Sequence, residues 1–382
     1  MGIVILESMI SRFLEKNIQA NWGRGKAILV LGPRQVGKTT LLKGIAAAKG
    51  PYLYLNCDDG LIAKQLEGHT LGKLQALLGK NKVVLVDEAQ RVHNIGLSLK
   101  LIIDEMPDVQ LLVSGSSALE LANQINEPLT GRKWEYHLYP ISFAEWVQHH
   151  NTLEGLRQLP NRLIYGMYPD ILNHPGSEIS RLEQLCSSNL YKDLLSFGGI
   201  RKPQLLDDLL RALAYQIGNE VSYNELSRTL GVDKKTVIQY TQLLEQAFVI
   251  FRLPPYSHNH RNEISTNRKI YFLDNGLRNA LIGDFKPVDL RNDVGALWEN
   301  FLISEKLKNM AYKSNAGRLY FWRTKNQQEV DLVHECNGTI TAYEIKWDPN
   351  RKIKSNKTFL NFYPNTPINL INPETFLDFL IE

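Results

Sequence analysis

Four short apolar runs, separated by helix-compatible stretches, mark the first 150 residues of the chain. They are AILVL at 27–31, YLYL at 52–55, VVLV at 83–86 and VQLLVSG at 109–115. Runs of this length suit buried strands, and their alternation with helices predicts a parallel sheet covered on both faces. From about residue 152 to residue 216 leucines recur at helical spacing instead, which predicts a helical region.

Two short helices and two further apolar runs are predicted between residues 219 and 273. Ser222 and Glu225 form a capping box, Gly231 ends the first helix, and Asp233 caps the second. The runs FVIFRL and KIYFL then enclose a polar loop, so the region predicts a winged helix-turn-helix. Its candidate DNA contacts are Lys234, Lys235, Thr236, Gln239 and Arg261. Residues 219–253 carry equal numbers of acidic and basic side chains, so docking of a protein stays an alternative to DNA binding.

A glycine-rich stretch follows the first apolar run. Residues 32–39 read GPRQVGKT and fit G-x-x-x-x-G-K-[ST] between a predicted strand and a predicted helix. The glycines allow a tight turn whose backbone amides point at a phosphate, Lys38 is placed to bridge the β- and γ-phosphates, and Thr39 to bind Mg²⁺. ATP and Mg²⁺ are therefore the predicted cofactors. The predicted ATP-binding set is Gly32, Pro33, Arg34, Gln35, Val36, Gly37, Lys38, Thr39 and Thr40.

Two carboxylates, Asp87 and Glu88, follow the run at 83–86. The carboxyl end of such a strand is the edge where α/β sheets bind ligands. We expect Asp87 to hold the Mg²⁺ through water, next to Thr39, and Glu88 to orient and deprotonate the attacking water. A solvated acidic turn fits these two residues taken alone, but the phosphate loop upstream favours nucleotide hydrolysis. The sequence thus predicts an ATPase.

A separate group of charged residues lies in the last hundred residues. Glu299 falls on a helical pattern, whereas Asp331 falls on one strand-like run and Glu344 and Lys346 on the next. Because side chains alternate along a strand, Glu344 and Lys346 share a face. Asp331 and Glu344 would form a carboxylate pair able to hold Mg²⁺, with Lys346 beside it. A solvated ion pair explains the same triplet.

Composition narrows the class of protein. The 382 residues are 43% hydrophobic and 22% charged with a net charge of +4, a weakly basic balance that permits nucleic acid as a partner without requiring it. The three cysteines are widely spaced, so neither a disulfide framework nor a zinc site is predicted, and a reducing cytoplasm is expected. No apolar run approaches the roughly 18 residues of a membrane span, so no membrane contact is expected.

Taken in order, these motifs resemble a family of prokaryotic AAA-type (AAA+) P-loop ATPases whose C-terminal domain, of unknown function, looks like a PD-(D/E)XK nuclease. The resemblance covers nearly the whole chain and rests on GPRQVGKTT, LVDEAQR, SGSSALEL, LTGR before YPISFAEW, KIYFLDNGLRNAL, GALWENFL, YFWRTKNQQEVDLV and YEIK. It implies an α/β fold in four parts: an AAA+ ATPase core with a parallel sheet (1–150), a helical lid (151–216), a winged helix-turn-helix (217–275) and a C-terminal α/β nuclease-like domain (276–382).

The resemblance also implies roles for single residues. Arg132 becomes an arginine finger that reaches a neighbouring subunit, which implies a homo-oligomer; a surface arginine is the alternative. Ser114 or Ser116 becomes a sensor of the γ-phosphate, although capping of the next helix explains these serines equally well. The nuclease-like cluster comprises Glu299, Asp331, Glu344 and Lys346. No second sensor arginine is recognisable in the lid.

Two functions are compatible with these features. The first is an ATP-driven enzyme that acts on duplex or branched DNA through the winged helix, with cutting by the last domain left open. The second is a nucleotide-controlled oligomeric switch whose C-terminal modules bind DNA or a protein without cleavage.

Overall fold

The computed structural model describes residues 9–68, 70–116, 125, 127–190, 202–257, 268–313, 316–324, 326–351 and 357–381. Its first part is a five-stranded sheet in the order β2-β3-β4-β1-β5, with every neighbouring pair parallel. The strands are β1 (Ala27–Leu31), β2 (Leu53–Asn56), β3 (Val83–Asp87), β4 (Gln110–Gly115) and β5 (Lys133–His137). Strands β1, β3 and β4 are buried along their whole length, which explains their continuous apolar runs. The predicted parallel α/β core is confirmed.

Within the residues that the structure describes, five α-helices accompany this sheet. They are α1 (Leu14–Ala20), α2 (Lys38–Lys49), α3 (Gly60–Leu66), α4 (Leu71–Leu78) and α5 (Ile95–Glu105). Helix α2 packs against β3 and β4, α1 packs against α2, and α3 packs against β2. Strands β1 and β4 are neighbours in register from Ile28 and Leu112 to Leu31 and Gly115, so the segments that follow both strands leave the sheet at the same edge.

The segment after the sheet is helical in the part that the structure describes. It comprises α6 (Phe143–His149), α7 (Thr152–Tyr165), α8 (Pro169–Leu172), α9 (Glu178–Gln184), a π-helical turn at Leu185–Leu190, and α10 (Pro203–Tyr215). Among the residues covered by the structure, none of the helices is long and apolar enough to cross a lipid bilayer.

The described part of residues 220–272 combines two helices with a small sheet. The elements are β6 (Glu220–Val221), α11 (Tyr223–Leu230), α12 (Lys234–Gln246), β7 (Ile250–Leu253) and β8 (Arg268–Phe272), and the sheet is antiparallel in the order β6-β8-β7. The Ser222 hydroxyl accepts a hydrogen bond from the Glu225 amide, and Gly231 ends α11 with a left-handed backbone. The winged-helix interpretation of these elements stays a prediction. Arg261 lies outside the described residues.

The C-terminal part is built on a four-stranded sheet in the order β12-β11-β10-β9. Its strands are β9 (Arg318–Arg323), β10 (Glu329–Cys336), β11 (Thr339–Ile345) and β12 (Ile368–Ile371), and β12 runs parallel to β11 while the other pairs are antiparallel. The helices are α13 (Asn275–Ile282), α14 (Val294–Ala311), α15 (Lys357–Phe362) and α16 (Phe376–Ile381). The register between β9 and β10 shifts between Val330 and Val333, next to Asp331.

Helix α14 and the residue that follows it contact the segment that comes directly after β5. The Glu305 carboxylate is fully buried, accepts a 2.6 Å hydrogen bond from the Phe143 amide at the start of α6, and pairs with Lys308 at 2.6 Å. Just after α14, the Tyr312 hydroxyl accepts a hydrogen bond from the Tyr139 amide at 3.3 Å. One continuous hydrophobic core therefore includes residues from both parts.

Candidate nucleotide-binding site

The loop between β1 and α2 has the backbone that a phosphate loop requires. Gln35 and Gly37 are left-handed, with φ of 61° and 93°. A Cβ atom at Gly32 would lie 2.1 Å from the carbonyl oxygen of Leu138, so only glycine fits this close approach of two chain segments. Residues 32–40 thus turn sharply from the buried strand into the first turn of α2.

Lys38 is folded over this loop. Its ammonium donates to the carbonyl oxygens of Gly32 at 2.9 Å and Pro33 at 2.8 Å, and the residue is 5% exposed. Arg12, for which no sequence motif gave a signal, also contacts the loop from outside. The Arg12 guanidinium donates to the Val36 carbonyl at 2.8 Å and forms a buried ion pair with Glu145 at 3.2 Å. Arg12 therefore restrains the predicted phosphate-binding loop.

The Asp87 carboxylate accepts hydrogen bonds from three hydroxyl groups. Thr39 lies 2.9 and 3.0 Å from its two oxygens, Tyr54 donates at 2.7 Å, and Ser114 also donates. Burial, followed by the hydrogen bond to Asp87, raises the pKa of the Tyr54 phenol, which remains a donor at neutral pH. The sequence placed Tyr54 on a strand but carried no signal that its hydroxyl reaches Asp87.

Thr39 and Asp87, the residues predicted to hold Mg²⁺, are therefore direct neighbours. One hydroxyl and one carboxylate suit Mg²⁺, which commonly keeps several waters and takes its remaining ligands from phosphate oxygens. The residues present thus fit a metal ion that arrives with a nucleotide.

Glu88 is linked to the end of β4 through Gln90. Its backbone is left-handed, with φ of 54°. The Gln90 amide nitrogen donates to the Glu88 carboxylate at 2.6 Å and lies 2.8 Å from the Ser116 hydroxyl. Ser114 accepts a hydrogen bond from the Glu88 backbone amide at 3.2 Å. Ser114 thus contacts Asp87 and the Glu88 backbone, and Ser116 contacts Gln90. Neither serine lines the cavity, and direct sensing of a γ-phosphate stays a prediction for both.

A cavity of about 700 Å³ opens between the phosphate loop and helices α8 and α9. Lys38, Thr39 and Glu88 line one side, and Asp170 and Arg181 line the other. Arg181 is tied to Asp170 by two hydrogen bonds of 2.8 and 2.9 Å. Helical periodicity does not reveal which face of α9 meets the cavity, so the sequence carries no signal for this arginine.

Arg132 lies at the opposite end of the sheet from the phosphate loop. Its carbonyl oxygen accepts a hydrogen bond from the Ala27 amide at the start of β1, whereas the loop begins after Leu31 at the end of that strand. The side chain is 37% exposed and pairs with Asp104 at 2.7 Å. Arg132 therefore does not approach the nucleotide site of its own subunit, and a contact with a neighbouring subunit stays a prediction.

The structure brings the C-terminal carboxylates together with lysines. Lys346 pairs with Asp331 at 2.8 Å and with Glu344 at 2.9 Å, and the Ile345 amide donates to Asp331 at 2.7 Å. Burial, followed by the Asp331 charge, raises the pKa of Glu344 to about 7. The grouping of these three charged side chains matches the predicted constellation.

Glu299 has partners on β8 that the sequence pattern did not indicate. It accepts hydrogen bonds from Tyr271 at 2.7 Å and from Lys269 at 3.0 Å, and Lys269 also pairs with Glu329. Burial raises the pKa of Glu299 more strongly than the Lys269 charge lowers it. Within the part of the chain that the structure describes, no three His, Cys, Asp or Glu side chains are grouped to hold a metal ion. Mg²⁺ binding by this cluster stays a prediction.

The predicted DNA contacts on α12 have two different environments. Lys234, Lys235 and Gln239 are exposed. The Thr236 hydroxyl instead donates to Asp233 at 2.7 Å, and its amide completes the helix cap at 2.9 Å. The cap therefore already engages Thr236.

Three family descriptions match successive parts of the chain. Residues 24–147 match an AAA domain, residues 156–287 a domain of unknown function (DUF8612), and residues 294–375 another domain of unknown function (DUF4143). An uncharacterized protein of Mycobacterium tuberculosis is 27% identical over 329 residues, which are 85% of this chain and 70% of the relative. An uncharacterized protein of Methanocaldococcus jannaschii is 23% identical over 368 residues, 88% of this chain and 81% of the relative.

A solved structure supports the fold. The Walker-type ATPase PABY2304 of Pyrococcus abyssi aligns with a TM-score of 0.52 and 16% identity, over 72% of this chain and 97% of that one. The parallel sheet, the phosphate loop and the AAA domain match agree with this likeness. The chain therefore contains a P-loop domain of the AAA ATPase type, and the residues that follow it are similar to two domains of unknown function.

Proposed function

We propose that this protein binds MgATP in the cavity between the phosphate loop and helices α8 and α9, and that it hydrolyses the nucleotide there. The observation that carries the proposal is the convergence of Lys38, Thr39 and Glu88 on one cavity, with Asp87 directly behind Thr39. Phosphoryl transfer to water requires a cation that binds phosphate and a carboxylate that activates water. It also requires a hydroxyl and a carboxylate that hold a metal ion.

Each residue has a separate task in this reaction. Lys38 exchanges the carbonyl oxygens of Gly32 and Pro33 for phosphate oxygens, while the loop amides surround the β-phosphate. Thr39 and Asp87 would hold Mg²⁺, which supplies positive charge opposite the transferred phosphoryl group. Glu88 orients the attacking water and accepts its proton. Arg181 leaves Asp170 to neutralise charge on the triphosphate.

Binding and turnover are tested with different variants. A ligand at about 100 times its dissociation constant stabilises the folded state by roughly 2.7 kcal/mol, so MgATP should raise the melting temperature of the wild type but not that of Lys38→Ala. Glu88→Gln should keep this stabilisation and lose multiple turnover. If saturating MgATP does not raise the melting temperature of the wild type, the proposal is refuted.

We further infer that the ATPase acts on DNA through residues 217–382. Support comes from the exposed Lys234 and Lys235 at the start of α12 and from the Asp331, Glu344 and Lys346 cluster. ATP turnover should rise with single-stranded, duplex or four-way-junction DNA, more strongly at low than at moderate salt. If Asp331→Ala and the wild type both leave all these substrates uncut in Mg²⁺ or Mn²⁺, the protein does not cleave DNA and the inference is limited to DNA binding.

The second candidate is a nucleotide-controlled homo-oligomeric switch that binds DNA or a protein without cleavage. It is favoured by the lysines that already neutralise the C-terminal carboxylates, Lys346 at Asp331 and Lys269 at Glu299. In this case MgATP changes the molar mass measured by light scattering, and DNA does not change ATP turnover. Arg132→Ala weakens the part of ATP turnover that depends on the oligomer.

A further inference from the structure

Gln90 joins the predicted catalytic carboxylate to the end of β4. Its amide nitrogen lies 2.6 Å from the Glu88 carboxylate and 2.8 Å from the Ser116 hydroxyl. We propose that Gln90 is a positioning residue for Glu88, and that Ser116 in turn fixes the Gln90 amide. The inference rests on the proposed ATP hydrolysis and assigns a role in it to two residues that do not line the cavity.

The chemistry of Glu88 determines how the Gln90 amide is oriented. An ionised carboxylate only accepts hydrogen bonds, so the group that faces it must be the NH₂ and not the carbonyl oxygen. As a consequence, the Gln90 carbonyl oxygen is buried without a hydrogen-bond partner in the described part of the chain. Leaving a buried acceptor unpaired is costly. The hydrogen bonds of the NH₂ group with Glu88 and Ser116 must therefore offset this cost and hold the side chain in this orientation.

Glu88 needs such support because of where it lies. It follows the last residue of β3 with a left-handed backbone, and its half-buried side chain faces the cavity. A glutamate has several rotatable bonds, and each unrestrained one lowers the fraction of time that the carboxylate spends in the reactive geometry. Gln90 is 8% exposed and Ser116 is 2% exposed, so both act from behind the carboxylate.

The position of Ser116 connects this support to the phosphate loop. Ser116 directly follows β4, whose last residue, Gly115, is in register with Leu31 at the end of β1. Gly32, the first residue of the phosphate loop, follows Leu31. The hydrogen bonds from Ser116 through Gln90 to Glu88 therefore set the position of the Glu88 carboxylate. This position is defined relative to the sheet edge that carries the phosphate loop.

The decisive variant is Gln90→Met, which keeps the length of the side chain and removes both donor hydrogens. We expect kcat to fall on the order of tenfold or more, the size associated with a hydrogen bond to a charged group. KM for ATP and the MgATP-dependent rise in melting temperature should not change, since Gln90 does not line the cavity. Ser116→Ala should lower kcat to a smaller extent, and in the Gln90→Met background it should add no further loss.

Several outcomes overturn the inference. They are a wild-type kcat in folded Gln90→Met, a loss of MgATP stabilisation in that variant, or equal effects of Ser116→Ala in both backgrounds. If Gln90→Met does not fold, Ser116→Ala decides, and an unchanged kcat refutes the role. Absence of turnover in the wild type refutes the proposed hydrolysis and the positioning role together. Turnover in the wild type with unaffected variants refutes the positioning role alone.

Discussion

The ion pair between Glu305 and Lys308 yields the sharpest prediction about the stability of the chain. Both side chains are 1% exposed, and Glu305 also accepts the Phe143 amide that begins α6. Glu305→Leu leaves a buried ammonium without its carboxylate, which costs about 3–5 kcal/mol, and leaves the Phe143 amide unpaired at about 1–3 kcal/mol more. We therefore expect a loss of at least about 3 kcal/mol in the free energy of unfolding.

Thermal unfolding followed by tryptophan fluorescence measures this loss. At about 2–4 °C per kcal/mol for large domains, a loss of about 3 kcal/mol lowers the melting temperature by roughly 6–12 °C. Lys308→Met is the matched control. It should cost less, because burial already raises the pKa of Glu305 and a carboxyl group that loses its partner takes up a proton. The double variant should recover part of the loss caused by Glu305→Leu.

Two results would refute this reasoning. The first is a decrease of less than about 2 °C in Glu305→Leu, which would correspond to a loss below roughly 1 kcal/mol. The second is a double variant that is no more stable than Glu305→Leu, since the unpaired buried charge would then not be the cause of the loss.

Three further predictions concern the two sites. Arg181→Ala should raise KM for ATP by about tenfold through loss of a charged hydrogen bond, whereas Arg157→Ala, in an exposed pair, should leave KM unchanged in the same kinetic assay. Gly32→Ala should abolish MgATP stabilisation in thermal unfolding, because its Cβ would lie 2.1 Å from the Leu138 carbonyl oxygen. The pKa of Glu344 is raised to about 7, so its contribution to stability is largest below about pH 4.5 and is lost as pH rises through about 7. The melting temperature of Glu344→Gln relative to wild type should therefore increase between pH 5 and pH 8, and a constant difference would contradict the assignment.

The sequence by itself determined the parallel sheet and the identity of the phosphate loop. Strands buried on both faces are mostly apolar, so β1, β3 and β4 were visible as short apolar runs. The loop motif is contiguous, and its glycines are required by local backbone geometry and by one close contact. Asp87 and Glu88 follow a buried strand directly, so their position at the ligand-binding edge also follows from the order of residues.

Only the tertiary structure decided which side chains support these residues. Tyr54 reaches Asp87 from a strand 33 residues earlier, and Gln90 reaches Ser116 across 26 residues. Lys269 meets Glu299 because β8 packs against α14, although the pattern of β8 indicated only a strand of the predicted wing. Hydrophobic periodicity reports which face of an element is buried, whereas these contacts depend on the order of strands and the packing of helices. That order is set by the whole core, so no local pattern contains it.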